Sequence, residues 1–316
     1  MFIQVILLII GFIVLIKGAD IFVDGASSIA LNCKLSKMLI GLTIVAFGTS
    51  APEFAVSVKS IISNNSDMVI GNVIGSNILN ILLIIGICSI IKPIKVKSNT
   101  VRKELPIVML FSTLLFFLIK DDLFISNINM ISRNDGFVII LFFTIFVYYL
   151  ISIMRNKKDE DSDDMAKYGI FKSICFTLLG IVCIILGSNV VVDSASRIAS
   201  MLGVSQKMIA LTVVAFGTSL PELVTSIVST RKGEQEILVG NIVGSNIFNI
   251  GIVLGLPVAM FGGIPAMGFN LIDLIAMIVA AILLFVFAFK DHKVGKFEGI
   301  VMLIIFVIYY SYVIIG

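Results

Sequence analysis

The chain has 316 residues, 59% of them hydrophobic and 14% charged, with a formal net charge of +3 and a mean hydropathy of +1.13. Water-soluble domains carry about 25% charged residues, so this composition excludes an ordinary soluble domain. The small net charge gives no case for a nucleic-acid partner; the partner implied is the lipid bilayer.

Runs of about 20 apolar residues read as membrane helices. In chain order the candidates are residues 2–16, 38–58, 68–91, 105–119, 136–154, 170–186, 208–229, 237–264, 269–289 and 300–315. A transmembrane β-barrel needs alternating segments of about 10 residues, and none is visible. The expected fold class is therefore an all-α polytopic membrane protein with ten transmembrane helices. The first segment lacks a basic start and a small-residue exit, so it reads as a helix rather than a cleavable signal. Cys33, Cys88, Cys175 and Cys183 have no metal-type spacing, and the last three lie in apolar runs, where buried thiols are expected. His292, between Asp291 and Lys293, reads as a solvated loop residue.

The chain states one pattern twice. Residues 42–53 read LTIVAFGTSAPE and residues 211–222 read LTVVAFGTSLPE. Residues 71–80 read GNVIGSNILN and residues 240–249 read GNIVGSNIFN. Each pair is offset by 169 positions, and at the same offset Gly18, Asp24, Ala26 and Ser27 match Gly187, Asp193, Ala195 and Ser196. Five expected spans per half is an odd number, so the second half enters the membrane from the opposite side. This predicts residues 1–154 as a first five-helix repeat, 155–168 as a short acidic linker, and 169–316 as a second, inverted repeat. With both termini outside, 18 of the 23 lysines and arginines fall on the inner side, which favours a cytoplasmic central loop. Tyr148 and Tyr149, and Tyr309, Tyr310 and Tyr312, end spans five and ten, where interfacial tyrosines belong. In the linker, Asp159, Asp161 and Asp163 copy the start of a calcium-binding loop. Asp164 replaces the required glycine and Ile170 the final glutamate, so a solvated acidic linker is the better reading.

Glu53 and Glu222 sit inside apolar helices, one residue after Pro52 and Pro221. A carboxylate at membrane depth marks function by default. Each proline removes the bond to the carbonyl four residues back, at Gly48 or Gly217, and loose carbonyls at this depth face protein or a polar cavity. Thr49, Ser50, Thr218 and Ser219 add hydroxyls beside each break. Ser76 with Asn80, and Ser245 with Asn249, each share a helix face. The four glycines of the second phrases have small-xxx-small spacing for close helix approach. An all-oxygen set without cysteine or histidine suits hard cations such as Ca2+ or Na+, and two glutamates neutralise one Ca2+. Asn72, Asn77, Asn241 and Asn246 receive no ligand role. Glu104 and Asp273, another matched pair, lie near segment ends and read as solvated.

At these residues the chain resembles the cation/calcium antiporter superfamily, and within it the sodium/calcium exchanger branch. The resemblance implies a rigid core of spans two, three, seven and eight, across which spans one and six slide. It also implies that the backbone oxygens of Ala46 and Thr49, and of Ala215 and Thr218, join Glu53, Glu222, Ser76, Ser245, Asn80, Asn249, Ser50 and Ser219 in binding ions. Several relatives carry aspartate where Asn249 stands, so the amide removes a charge that potassium co-transport would use.

The function expected is Ca2+/Na+ antiport by alternating access in a plasma membrane, with no cofactor. Holding a 10⁴-fold Ca2+ gradient takes about 5.5 kcal/mol before voltage. Three Na+ falling tenfold return about 4.1 kcal/mol, and the extra inward charge adds about 2.3 at 100 mV. Two Na+ fall short, so three per Ca2+ is expected. The alternatives are a Ca2+/H+ antiporter and a potassium-dependent Na+/Ca2+ exchanger. An intramembrane enzyme ranks below these, because no H-E-x-x-H or G-x-S-x-G motif and no membrane-embedded histidine is present. A channel would show flux without counter-ion dependence.

Overall fold

Several apolar runs in this chain become helices longer than the runs themselves. A computed structural model describes residues 1–63, 65–120, 130–155, 165–204, 215–266 and 271–315. The first helix, α1 (Phe2–Asn32), continues 16 residues beyond the expected segment, through Lys17, Asp20 and Asp24. Helix α9 (Ile170–Met201) likewise overruns its expected end at 186. The two helices pack along each other. A Cβ added to Gly18 would lie 2.7 Å from the Cβ of Cys183, so only glycine permits this approach. The acids that ended the apolar run in α1 find lysines from distant segments. Lys232 Nζ lies 2.7 Å from Asp20 Oδ1 and 2.6 Å from Asp24 Oδ1, and Lys167 Nζ lies 2.5 Å from Asp24 Oδ2.

The second span is broken. Helix α2 (Lys37–Ile40), a π-helical turn (Gly41–Val45) and α3 (Ala46–Thr49) run on to Ser50, where the chain bends by 45° into α4 (Ala51–Ile62). Helix α5 (Ser66–Ile78), a π-helical stretch (Leu79–Ile85) and α6 (Gly86–Ile91) make one continuous rod. A short strand β1 (Ile94–Lys95), a π-turn (Thr100–Glu104), α7 (Leu105–Ile119), β2 (Met130–Ile131) and α8 (Arg133–Arg155) follow.

After α9 the order recurs. Helix α10 (Ala215–Thr218) breaks at Ser219 into α11 (Leu220–Lys232). Helix α12 (Gln235–Phe248), a π-turn (Asn249–Leu254) and α13 (Gly255–Phe261) make a second continuous rod. Strand β3 (Ile264–Pro265), α14 (Leu271–Asp291), β4 (Lys293–Val294) and α15 (Lys296–Ile315) complete the described chain. Strands β1 and β4 pair antiparallel, as do β2 and β3, so each small sheet joins a loop of the first half to one of the second.

Seven described helices are long and apolar enough to cross a bilayer, and the bent pair at 37–49 and 51–62 adds an eighth. The expected segment 105–119 is α7 itself, at 15 residues. The start of the expected segment 208–229 and that of 269–289 lie outside the described residues, as do positions 159–164 of the acidic linker.

Burial sorts the spans into centre and rim. The rods at 68–91 and 235–261 are 72% and 89% buried across their most apolar windows, against 22% for α1 and α8. The central rods carry the serines and asparagines; the rim turns isoleucine, leucine and phenylalanine outward. Apolar side chains on the outside and polar ones inside is the arrangement a hydrocarbon solvent dictates.

Two expectations need correction. Cys88 is buried, but Cys183 is only half-buried and Cys175 is exposed, because its position on α9 faces away from the bundle. Glu104 is not solvated: it is buried, and the Tyr149 hydroxyl donates to its Oε1. Its counterpart Asp273, half-buried, accepts from the Tyr309 hydroxyl at 3.0 Å. The π-turn before α7 and the aromatic end of α8 close over Glu104, a tertiary effect that position in a segment does not reveal.

Candidate functional site

The site starts from the two helix breaks. Pro52 and Pro221 occupy the first turns of α4 and α11, where the fixed φ of proline suits the start of a helix. Ser50 and Ser219 precede them with nearly the same backbone, φ −83°, ψ 4° and φ −91°, ψ 6°. A serine here ordinarily caps the following helix with its hydroxyl. Neither does. Ser50 Oγ instead donates to Glu222 Oε1 at 3.2 Å, and Ser219 Oγ to Glu53 Oε1 at 3.4 Å. Each break thus serves the acid of the other half, and each acid stands in the first turn of its own helix, where the helix dipole favours negative charge.

Both carboxylates are sealed from solvent, Glu53 at 1% and Glu222 at 0% exposure. Among the described residues neither meets a lysine or arginine, and the second oxygen of each, Oε2, has no hydrogen-bond partner. A pair of buried acids without a cation is costly.

The hydroxyls and amides close around them. Thr49 Oγ1 donates to Asn241 Oδ1 at 3.0 Å and lies 3.5 Å from Ser245 Oγ. At the matched positions, Thr218 Oγ1 lies 3.5 Å from Asn72 Oδ1. Asn72 Nδ2 also donates to the Glu53 carbonyl at 3.1 Å. Ser219 Oγ lies 3.2 Å from Ser76 Oγ. The Ala46 carbonyl accepts the Ser50 N–H at 3.0 Å and faces the Thr49 hydroxyl at 3.4 Å. The backbone of Ala215 opens α10 at the matched place. Asn80 and Asn249 lie at the starts of the two π-helical stretches, a local widening frequent at functional sites. Asn80 is buried with both amide atoms unpartnered; Asn249 donates Nδ2 to Asn77 Oδ1 at 3.1 Å and leaves Oδ1 unpartnered.

The sequence-derived residues thus fall into three hydrogen-bonded groups: Ala46, Thr49, Ser50, Ser245 and Glu222; Glu53, Ser76, Ser219 and Thr218; and Asn249 with Asn77. Asn80 lies one turn from Ser76 on the same rod. Close packing makes this possible. A Cβ on Gly240 would lie 2.6 Å from the Met38 carbonyl and 2.9 Å from the Cα of Gly41, so α12 touches the backbone of the broken span.

The supports of these residues were not expected from the sequence. Asn72 and Asn241 hold the two threonines, and Asn77 holds Asn249. The signal was present, since both phrases keep asparagine at those places. The Gly217 carbonyl, expected to be loose, accepts from the Ser188 hydroxyl of α9 at 3.1 Å. Alanine stands at the matched position 19, so this support exists in one half only.

The fold and this interior define a multi-pass membrane protein whose centre is a cage of carboxylate, hydroxyl and amide oxygens. The sodium/calcium exchanger protein family matches residues 3–152 and 172–315, and the chain belongs to that family. It is 36% identical over 98% of both chains to the putative antiporter CaxA of Alkalimonas amylolytica. It is 30% identical over 95% of both chains to the sodium/calcium exchanger MaX1 of Methanosarcina acetivorans. A solved structure of the sodium-calcium exchanger NCX_Mj, soaked with 2.5 mM Na+ and 0.1 mM Ca2+, superposes with a TM-score of 0.83 at 31% identity over 98% of both chains.

Proposed function

We propose that the protein is a secondary antiporter that exchanges Ca2+ for Na+ by alternating access, three Na+ per Ca2+. The observation that carries this reading is the crossed pairing of Ser50 with Glu222 and Ser219 with Glu53, which brings two uncompensated acids to one buried place. Two carboxylates neutralise one Ca2+. Glu53, Glu222, Asn80 and Asn249 each keep a buried side-chain oxygen without a protein partner. With Ser50, Ser219, Ser76, Ser245 and the Ala46, Thr49, Ala215 and Thr218 carbonyls they supply more than the 6–8 oxygens that Ca2+ takes. The surplus suits several Na+ occupying overlapping positions in turn.

The two halves, 1–154 and 169–316, are read as inverted five-helix repeats joined by the linker 155–168. Contacts support this at the constant offset: Ser50–Glu222 mirrors Ser219–Glu53, and Thr49–Asn241 mirrors Thr218–Asn72. Sidedness supports it too. Strands β1 and β4, the pair Lys37–Glu234 at 3.0 Å and the lysines on Asp24 gather at one end, while β2 and β3 meet at the other. That first end carries most of the basic residues, which supports a cytoplasmic linker with both termini outside. The pair α1 and α9 is the moving unit, and the ion pairs from Asp20 and Asp24 to Lys232 tie it to α11 in this conformation.

Reconstituted protein in Na+-loaded vesicles tests the coupling. Ca2+ uptake driven by the Na+ gradient, accelerated by a voltage that favours the extra charge and unchanged by potassium, is the expected result. Uptake driven only by a pH step identifies a proton-coupled exchanger, a potassium requirement identifies the third reading, and indifference to voltage refutes the 3:1 ratio.

A further inference from the structure

We infer that Asn77 is a positioning residue that decides which end of the Asn249 amide is offered to the cation. The inference rests on the ion-site reading above and adds a residue outside the proposed ligand set.

Three asparagines, Asn246, Asn77 and Asn249, form a hydrogen-bonded chain. The backbone carbonyl of Asn246 can only accept a hydrogen bond. Asn77 Nδ2 lies 3.2 Å from it, so the NH2 end of the Asn77 side chain is turned there. That turns Asn77 Oδ1 towards Asn249. Asn249 must answer with a donor, and its Nδ2 lies 3.1 Å away. Its own oxygen is therefore turned off Asn77, buried and without a protein partner. All three side chains are at most 1% exposed, so no solvent competes for these groups.

The reversed amide would fail twice. It would set Asn249 Oδ1 against Asn77 Oδ1, two acceptors without a proton between them, and it would aim two N–H donors at the cation. An aspartate at 249 would need no such control, because either carboxylate oxygen serves. An amide does need it, and Asn77 supplies it from the opposite half of the molecule.

The counterpart arrangement is not repeated. Asn246 matches Asn77, yet its Nδ2 donates to Ile242 in its own helix at 2.7 Å, and Asn80, which matches Asn249, has no hydrogen bond to either amide atom. The orienting bond is thus specific to Asn249.

Ca2+ flux into proteoliposomes, measured against Ca2+ concentration, tests this with Asn77→Ala, Asn249→Asp and the double variant. Alone, Asn77→Ala should raise the Ca2+ KM by about five- to tenfold, the upper range for one hydrogen bond between neutral groups, with maximal rate within about twofold. In the Asn249→Asp background the same change should move KM by less than about twofold, since a carboxylate presents oxygen whichever way it turns. Asn77→Leu, which fills the volume without an acceptor, should track Asn77→Ala. An equal KM change in both backgrounds means Asn77 only packs, and a wild-type KM in Asn77→Leu means it does not act; either overturns the inference. Parent protein that shows no saturable Ca2+ uptake would sink the ion-site reading itself and the inference with it.

Discussion

Ser50 and Glu222 are 172 residues apart in sequence and 3.2 Å apart in the fold. The serine forgoes the cap of its own helix to reach the acid of the other half. Ser219 does the same for Glu53 at 3.4 Å. This crossed pair holds the breaks of the two spans face to face, and it makes each acid depend on a residue from the opposite half.

Ser50→Ala and Ser219→Ala should therefore weaken Ca2+ uptake by similar amounts. A hydrogen bond to a charged group contributes about 1.5–3 kcal/mol, so each KM should rise at least tenfold. The Ca2+ dependence of flux checks this. A tenfold effect in one and none in the other would mean that the two halves do not share the cation.

The Gly217 carbonyl is freed by Pro221 and taken up by Ser188. Ser188→Ala should leave it unsatisfied and lower stability by about 1–3 kcal/mol. In a Pro221→Ala background the helix supplies its own N–H, so the same change should lower the melting temperature far less. Thermal unfolding in detergent of both singles and the double reads the difference, and an equal loss in both backgrounds refutes the role given to Ser188.

Part of this is legible in the sequence. Pro52 and Pro221 announced the breaks, because a proline inside an apolar run has few other meanings, and Glu53 and Glu222 stood out as candidate ligands, because an acid inside an apolar run is rare. The helix lengths were not legible: Lys17, Asp20 and Asp24 follow the apolar run in α1, yet the helix continues past them, with the two acids paired to Lys167 and Lys232 from distant segments. The π-helical starts at Asn80 and Asn249, the shift of Ser50 from cap to cross-bond and the burial of Glu104 all depend on which helix lies opposite. Local periodicity holds no record of that.

Glu104 offers a control. The Tyr149 hydroxyl is its partner, and its second oxygen has none. Tyr149→Phe should lower the melting temperature, at about 1–3 kcal/mol for a lost partner to a buried group, while the Ca2+ KM stays within about twofold. A large KM change with unchanged stability would place Glu104 among the ion-handling residues.

Calorimetric Ca2+ titration of purified Glu53→Gln and Glu222→Gln, beside the parent protein, reaches the centre of the account. Each change keeps the shape and removes one of two charges that neutralise a shared ion, so both variants should stay folded and lose Ca2+ binding by at least about 100-fold, with a hydrogen-bonded buried charge counted at about 3 kcal/mol or more. Ca2+ bound with parental affinity by either folded variant would contradict a site built jointly by the two acids.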